Sequence, residues 1–254
     1  MKRILISLAA FFGVQLFAAL AASLYKITSG GASLLDKQFI IATGIALLIG
    51  NAVLIAAMAL WLRHSEKPKA STSQIHYRSV TLAVSSLLLL ALAETLLLAP
   101  LELSDPETER IFTLMASSPW CLLGLCIVGP VAEELVFRWG VQGALQQKGL
   151  KPWVCIATSS VCFAAVHANL MQMVPAFMSG LLLGYMFWRS GSVLPAVAAH
   201  IFNNTLAVAS LSYPTAEEAL TAQPLALLFV EGIVLLTASI FVATKIPCHE
   251  NRNH

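Results

Sequence analysis

Within stretches that are otherwise almost wholly apolar, this chain carries three polar clusters. They are Glu133-Glu134-Leu135-Val136-Phe137-Arg138, then Phe163-Ala164-Ala165-Val166-His167, then His200-Ile201-Phe202-Asn203-Asn204. Together they hold two carboxylates, a guanidinium, two imidazoles and two amides. An ionisable group at membrane depth costs roughly 2.5 to 3.5 kcal/mol on insertion scales, so groups found there are read first as functional. Carboxylates and imidazoles gathered in a wet cavity beside other charges are the material of general acid–base chemistry.

Helical spacing organises each cluster. Glu134 and Arg138 are four residues apart, on one face, with the carboxylate N-terminal to the cation in the favourable order. Glu133 projects about 100° away from that face and is free for another task. Phe163 and His167 share a face, and so do His200 and Asn204. Three helices therefore each present one polar stripe. Counting a rise of about 1.5 Å per residue from the cytoplasmic ends puts Glu133 and His167 roughly 21 to 23 Å deep and His200 roughly 15 Å deep. All three stripes are expected to meet in one site.

The elements that must position these groups are membrane helices. Hydrophobic residues make up 58% of the 254, charged residues only 11%, and the mean hydropathy is +0.79, outside the range of an ordinary soluble domain. The expected fold is an all-α, polytopic membrane helical bundle of about eight transmembrane helices, at 4–25, 39–62, 80–100, 119–147, 152–170, 172–188, 192–211 and 225–244. Residues 1–254 form a single integral membrane domain, with 119–211 as the helices that carry the three motifs. Pro130 removes a backbone donor and is expected to kink the fourth span just before the paired glutamates. An amphipathic stretch, Glu107 to Met115, is expected to lie on the membrane surface.

Loop charge suggests an orientation. With the N-terminus inside, Lys2, Arg3, Arg63, Lys67, Lys69, Arg78, Lys148, Lys151, Arg189, Lys245 and Arg252 are cytoplasmic, against Lys26, Lys37 and Arg110 outside. The positive-inside rule then places both termini in the cytoplasm of a bacterial cell, with the chain in the cytoplasmic membrane. The N-terminal segment also resembles a secretory signal peptide, but its apolar run is longer than the usual 7 to 15 residues, which favours an uncleaved first span. The net charge of +2 follows from the loop asymmetry, and no nucleic-acid motif is present. None of the five cysteines has C-x-x-C spacing, so a disulfide framework is not expected.

Other polar residues in the spans read as structural. Glu94, Glu231 and Asn51 stand alone among apolar neighbours and are expected to make interhelical hydrogen bonds or face a lumen. Gly180 and Gly184 have G-x-x-x-G spacing, which permits close helix packing and implies no chemistry.

The order E-E-x-x-x-R, F-x-x-x-H, H-x-x-x-N on successive hydrophobic segments resembles the CPBP family of intramembrane proteases, which includes the CAAX prenyl endopeptidases and bacteriocin-processing or bacteriocin-immunity proteins. The resemblance covers Gly129 to about Ser210. It implies that Glu133 is the general base that activates a water, supported by Glu134 and Arg138. It implies that His167 helps hold that water, while His200 and Asn204 bind the water, a metal or the oxyanion. Peptide hydrolysis needs just such a base, an oxyanion donor and a proton for the leaving amine. Zinc is one reading of the set, with His167, His200 and Glu134 as ligands and one position left for water. A metal-free route through Glu133 is equally writable, since the helical H-E-x-x-H is absent.

The expected activity is that of an intramembrane endopeptidase acting on a membrane-associated peptide or protein, of CAAX type or bacteriocin-leader type. Its expected partners are that substrate and the lipid bilayer; the sequence does not give an oligomeric state. A proton-coupled transporter would also place glutamates and histidines near the midplane, but with inverted repeats, whereas these residues fall in one half of the chain. A noncatalytic membrane partner, such as a bacteriocin-immunity protein, would not need the whole set.

Overall fold

A computed structural model describes residues 2–28, 36–64, 77–101, 105–167 and 169–248. Of the cations counted above, Lys67, Lys69 and Arg252 lie outside the described residues. Ten helices account for the described fold, and no strand occurs among those residues. They are α1 (Lys2–Thr28), α2 (Lys37–His64), α3 (Tyr77–Leu98), α4 (Pro106–Ala116), α5 (Pro119–Gln147), α6 (Pro152–Ala165), α7 (Leu170–Ser190), α8 (Leu194–Ser210), α9 (Pro214–Thr221) and α10 (Leu225–Thr244).

The polytopic helical bundle is borne out, but the count of eight spans is not. Among the described residues six helices are long and apolar enough to cross a membrane: Lys2–Thr28, Lys37–Trp61, Tyr77–Leu101, Pro119–Gln147, Leu170–Ser190 and Leu225–Thr244. The fifth and seventh expected spans correspond to α6 and α8, of 14 and 17 residues. At about 1.5 Å per residue these reach roughly 21 and 26 Å, short of a hydrocarbon core about 30 Å thick. α8 carries His200, and His167 lies in the turn that ends α6. In α6 the helix gives way to a turn at Val166 and His167, so apolar composition overstated its length by a few residues.

The two larger of three apolar clusters build most of the bundle. One joins Phe11, Leu54 and Met58 of α1 and α2 to Val136, Phe137 and Trp139 of α5 and Phe163 of α6. The other joins Leu87 and Leu90 of α3 to Leu183 and Met186 of α7, Ala199 of α8 and Ala243 of α10. Large apolar side chains such as Leu16, Leu20, Val230 and Phe241 face outward, as on a helix whose solvent is lipid. Because lipid is as apolar as leucine, close packing and interhelical hydrogen bonds join the helices. Ser86 Oγ donates to Ser239 O and Ser239 Oγ to Ser86 O, both at 2.8 Å, a reciprocal clasp between α3 and α10. The G-x-x-x-G pair serves two neighbours: a Cβ on Gly180 would lie 3.2 Å from Ser160 Cβ on α6, and one on Gly184 would lie 2.9 Å from Gln142 Oε1 on α5.

Helix ends fall into two groups. Arg3 donates to Gln147 Oε1 at 3.0 Å and stacks on the Trp139 ring, and Arg189 Nε donates to Ile246 O at 2.6 Å. At the other end Tyr25 meets Gln38, and Asn169 meets Asp105.

Candidate active site

Helix α5 is not a plain α-helix. The Gly129 N–H donates to Gly124 O and the Gly143 N–H to Arg138 O, each five residues back, so π-helical turns cover Gly124–Val128 and Leu135–Gln142. Such turns are rare and concentrate at functional sites. The disturbance expected at Pro130 thus takes the form of a register change in the turn before it. Between the two π stretches, Gly129–Glu134 is α-helical and presents the paired glutamates.

Glu134 and Arg138 make the expected pair, with Arg138 Nε 2.9 Å from Glu134 Oε2 and both side chains fully buried. The other carboxylate oxygen, Oε1, lies 3.0 Å from His200 Nδ1. An ionised carboxylate only accepts, so His200 carries its proton on Nδ1 and presents Nε2 on the far side of the ring. There Nε2 faces Glu133 Oε2 at 3.7 Å, beyond direct hydrogen bonding and within the range where a water bridges two groups. The Glu133 side chain keeps 24% of its exposure, against 0% for Glu134. Of the two adjacent carboxylates, one is sealed and spoken for, and the other is open.

His167 Nδ1 lies 2.9 Å from Phe163 O, an acceptor, so this imidazole also holds its proton on Nδ1 and leaves Nε2 as an acceptor. The Phe163 ring meets His167 edge-on at 5.1 Å and His200 at 5.6 Å between centroids. It also lies against the Phe137 ring and 5.1 Å beneath the Arg138 guanidinium. Phe163 therefore seats both imidazoles and links them to Arg138. Asn204 behaves differently from expectation: its Nδ2 donates to Leu125 O at 3.1 Å, away from the glutamates.

Ser159 is a site residue the motifs do not include. Arg138 Nη1 donates to its hydroxyl at 3.2 Å, and the hydroxyl donates to Phe137 O at 2.8 Å. The signal was present, since Ser159, Phe163 and His167 recur every four residues on one face of α6. A second is the clasp beside the His167 turn. Asp105 caps α4 by accepting from Thr108 N at 3.1 Å, Asn169 caps α7 by accepting from Met171 N at 2.9 Å, and the Asn169 amide donates to Asp105 Oδ2. Glu94 and Asn51 each have a buried oxygen without a partner among the described residues, and neither joins the site.

The zinc reading, with His167, His200 and Glu134 as ligands, does not fit this arrangement. Both oxygens of Glu134 are engaged, by Arg138 and His200, and no group of three His, Cys, Asp or Glu close enough to hold an ion occurs among the described residues.

The Asp105 clasp carries a prediction. Hydrogen bonds from the Thr108 side chain first, and from its backbone N–H, hold the Asp105 carboxyl below the usual range, with Asn169 adding to them. A lowered pKa means the fold favours the ionised form, so the clasp is complete at neutral pH and is lost as pH falls through that lowered value. Asp105→Ala should speed amide hydrogen exchange in the first turns of both α4 and α7, and Asp105→Asn, which keeps an acceptor, should do so less. Unchanged exchange in α7 on Asp105→Ala would show that the clasp does not hold the His167 turn.

A sealed Arg138–Glu134–His200 chain facing a more exposed carboxylate thus lies inside a polytopic helical membrane bundle. Residues 115–206 match the family model described as type II CAAX prenyl endopeptidase Rce1-like. The chain is 29% identical over 102 residues to a Bacillus subtilis (strain 168) protein named "Putative membrane peptidase YdiL", a match covering 40% of this chain and 41% of that protein. No solved structure matches the chain. The resemblance to the CPBP family of intramembrane proteases, carried by the three motifs, is borne out over this segment.

Proposed function

We propose that this chain is an intramembrane endopeptidase in which Glu133 activates a water against a scissile peptide carbonyl. The observation that carries the reading is the pairing of an open Glu133 carboxylate with the Nε2 of a histidine fixed from behind, 3.7 Å away. A water held between them is deprotonated by Glu133 as its oxygen bonds to the carbonyl carbon. The proton passes from Glu133 to the leaving amine as the C–N bond breaks, and the carboxylate is regenerated. His200 is kept in one tautomer and orientation by Glu134, and Glu134 by Arg138. The water's other hydrogen is accepted by the Nε2 of one of the two imidazoles, His200 or His167. Because the base and the groups that anchor it in this scheme are side chains of the protein, turnover is expected to survive verified metal removal; loss of activity restored by zinc would overturn that part of the reading.

The substrate is a membrane-associated peptide or protein, with a prenylated CAAX terminus, a bacteriocin leader and a membrane-protein segment as the classes the family resemblance supports. Peptides that accumulate in cells lacking the chain, and are then cut by the purified protein, would identify it. For sidedness, both termini are assigned to the cytoplasm of a bacterial cell. In a background without native cysteines, a cysteine at Glu107 should react with an impermeant thiol reagent in intact cells, while one at Lys151 should stay protected. The reverse pattern would invert the assignment.

A further inference from the structure

The geometry points to Asn204 as a positioning residue that completes the backbone of α5, replacing a hydrogen bond that Pro130 cannot make. In the π turn before the glutamates, the Gly129 N–H reaches five residues back to Gly124 O. The next acceptor in that register is Leu125 O, whose donor would be the N–H of residue 130. Residue 130 is proline and has none. A carbonyl orphaned at membrane depth finds no bulk water and must be satisfied by a neighbouring helix. Asn204 Nδ2, on α8, donates to Leu125 O at 3.1 Å.

The consequence is positional. His200, one turn before Asn204 on α8, is the residue that meets Glu134 and faces Glu133. Asn204 ties that helix to α5 ahead of Gly129–Glu134, so the two contacts fix α8 against both the π turn and the α-helical turn that bears the carboxylates. Loss of the amide would let the π turn and α8 move apart and shift His200 relative to Glu133. Pro130 and Asn204 then form one device: the proline leaves Leu125 O without its backbone donor in the π register, and the asparagine supplies that donor from α8.

The test is a double-substitution cycle on the full chain in detergent micelles, and only its kinetic arm rests on the protease reading above. Asn204→Ala should lower Tm by roughly 4 °C or more, and lower kcat by about 10² fold, as a misplacement of about 1 Å does, with little change in KM. Pro130→Ala restores an N–H at the position that faces Leu125 O, so in the Asn204→Ala background it should recover most of the lost Tm and kcat. Asn204→Asp, similar in shape but lacking the donor when ionised, should behave like Asn204→Ala and be rescued in the same way.

Asn204→Ala with unchanged Tm, reduced kcat and no rescue by Pro130→Ala would overturn the assignment and place the amide on the reacting atoms. Strictly additive Tm losses in the double variant would overturn it as well. Should Asn204→Ala fail to accumulate, recovery of accumulation on adding Pro130→Ala supports the device and continued failure overturns it. If the wild-type chain cleaves no peptide, the Tm arm still decides between these outcomes.

Discussion

Glu133→Gln is expected to fold and accumulate as the wild type does while losing peptide cleavage by about 10² to 10⁴ fold, the usual contribution of a general base. Three observations set this expectation. Glu133 is the more exposed of two adjacent carboxylates and makes no direct hydrogen bond to Arg138 or His200. Glutamine keeps the volume and the hydrogen-bonding reach of the side chain, so neither packing nor the water's position is disturbed. What it removes is the ability to take a proton. Glu134→Gln is the informative control, because it weakens a fully buried pair and the His200 anchor together, and should therefore lower both stability and turnover. Measurement pairs Tm with initial cleavage rates on the purified variants. Wild-type rates for Glu133→Gln in a contaminant-free preparation would sink the glutamate-activated mechanism, whereas absence of cleavage by the wild-type chain itself would return the transporter and partner readings to the front.

The part of this site that was legible in the sequence is the part governed by helical periodicity. The four-residue spacing of Glu134 and Arg138, and of Phe163 and His167, translated directly into contacts, because neither pair depends on how helices pack. The roles of His200 and Asn204 depended on packing, and there the reading diverged. A shared face on α8 predicted a shared target, yet His200 meets the glutamates and Asn204 meets a carbonyl nine residues before Glu134. The reason lies in α5, where a π turn displaces the register by one residue. Sequence offers a proline there but not the choice between a kink and a π turn. Span boundaries were less legible for a related reason: hydropathy counts apolar residues, whereas α6 stops at the turn bearing His167, tied to α4 through Asn169 and Asp105. Those partners lie 64 residues apart, and no local pattern joins them.

Arg138→Met should destabilise the protein more than the combined change Glu134→Leu with Arg138→Met, although the combined change removes more of the native site. With only Arg138 replaced, a fully buried carboxylate keeps one partner, His200, in place of two. With only Glu134 replaced, a buried guanidinium is left with the Ser159 hydroxyl and the face of the Phe163 ring. Stranding one member of a buried pair typically costs about 3 to 5 kcal/mol, whereas exchanging both members for apolar groups of similar volume is often close to neutral. The double variant should therefore melt above either single variant, giving a coupling well outside the few tenths of a kcal/mol seen for independent sites. It should remain inactive all the same, because His200 has lost the carboxylate that fixes its Nδ1 proton and its orientation toward Glu133. That dissociation of stability from activity is the useful reading. If the two single losses simply add, the 2.9 Å contact carries no net energy and Arg138 matters through Ser159 and Phe163 alone. If the double variant recovers cleavage along with stability, then His200 needs no carboxylate behind it, and Glu133 works without the chain that is taken here to hold its partner.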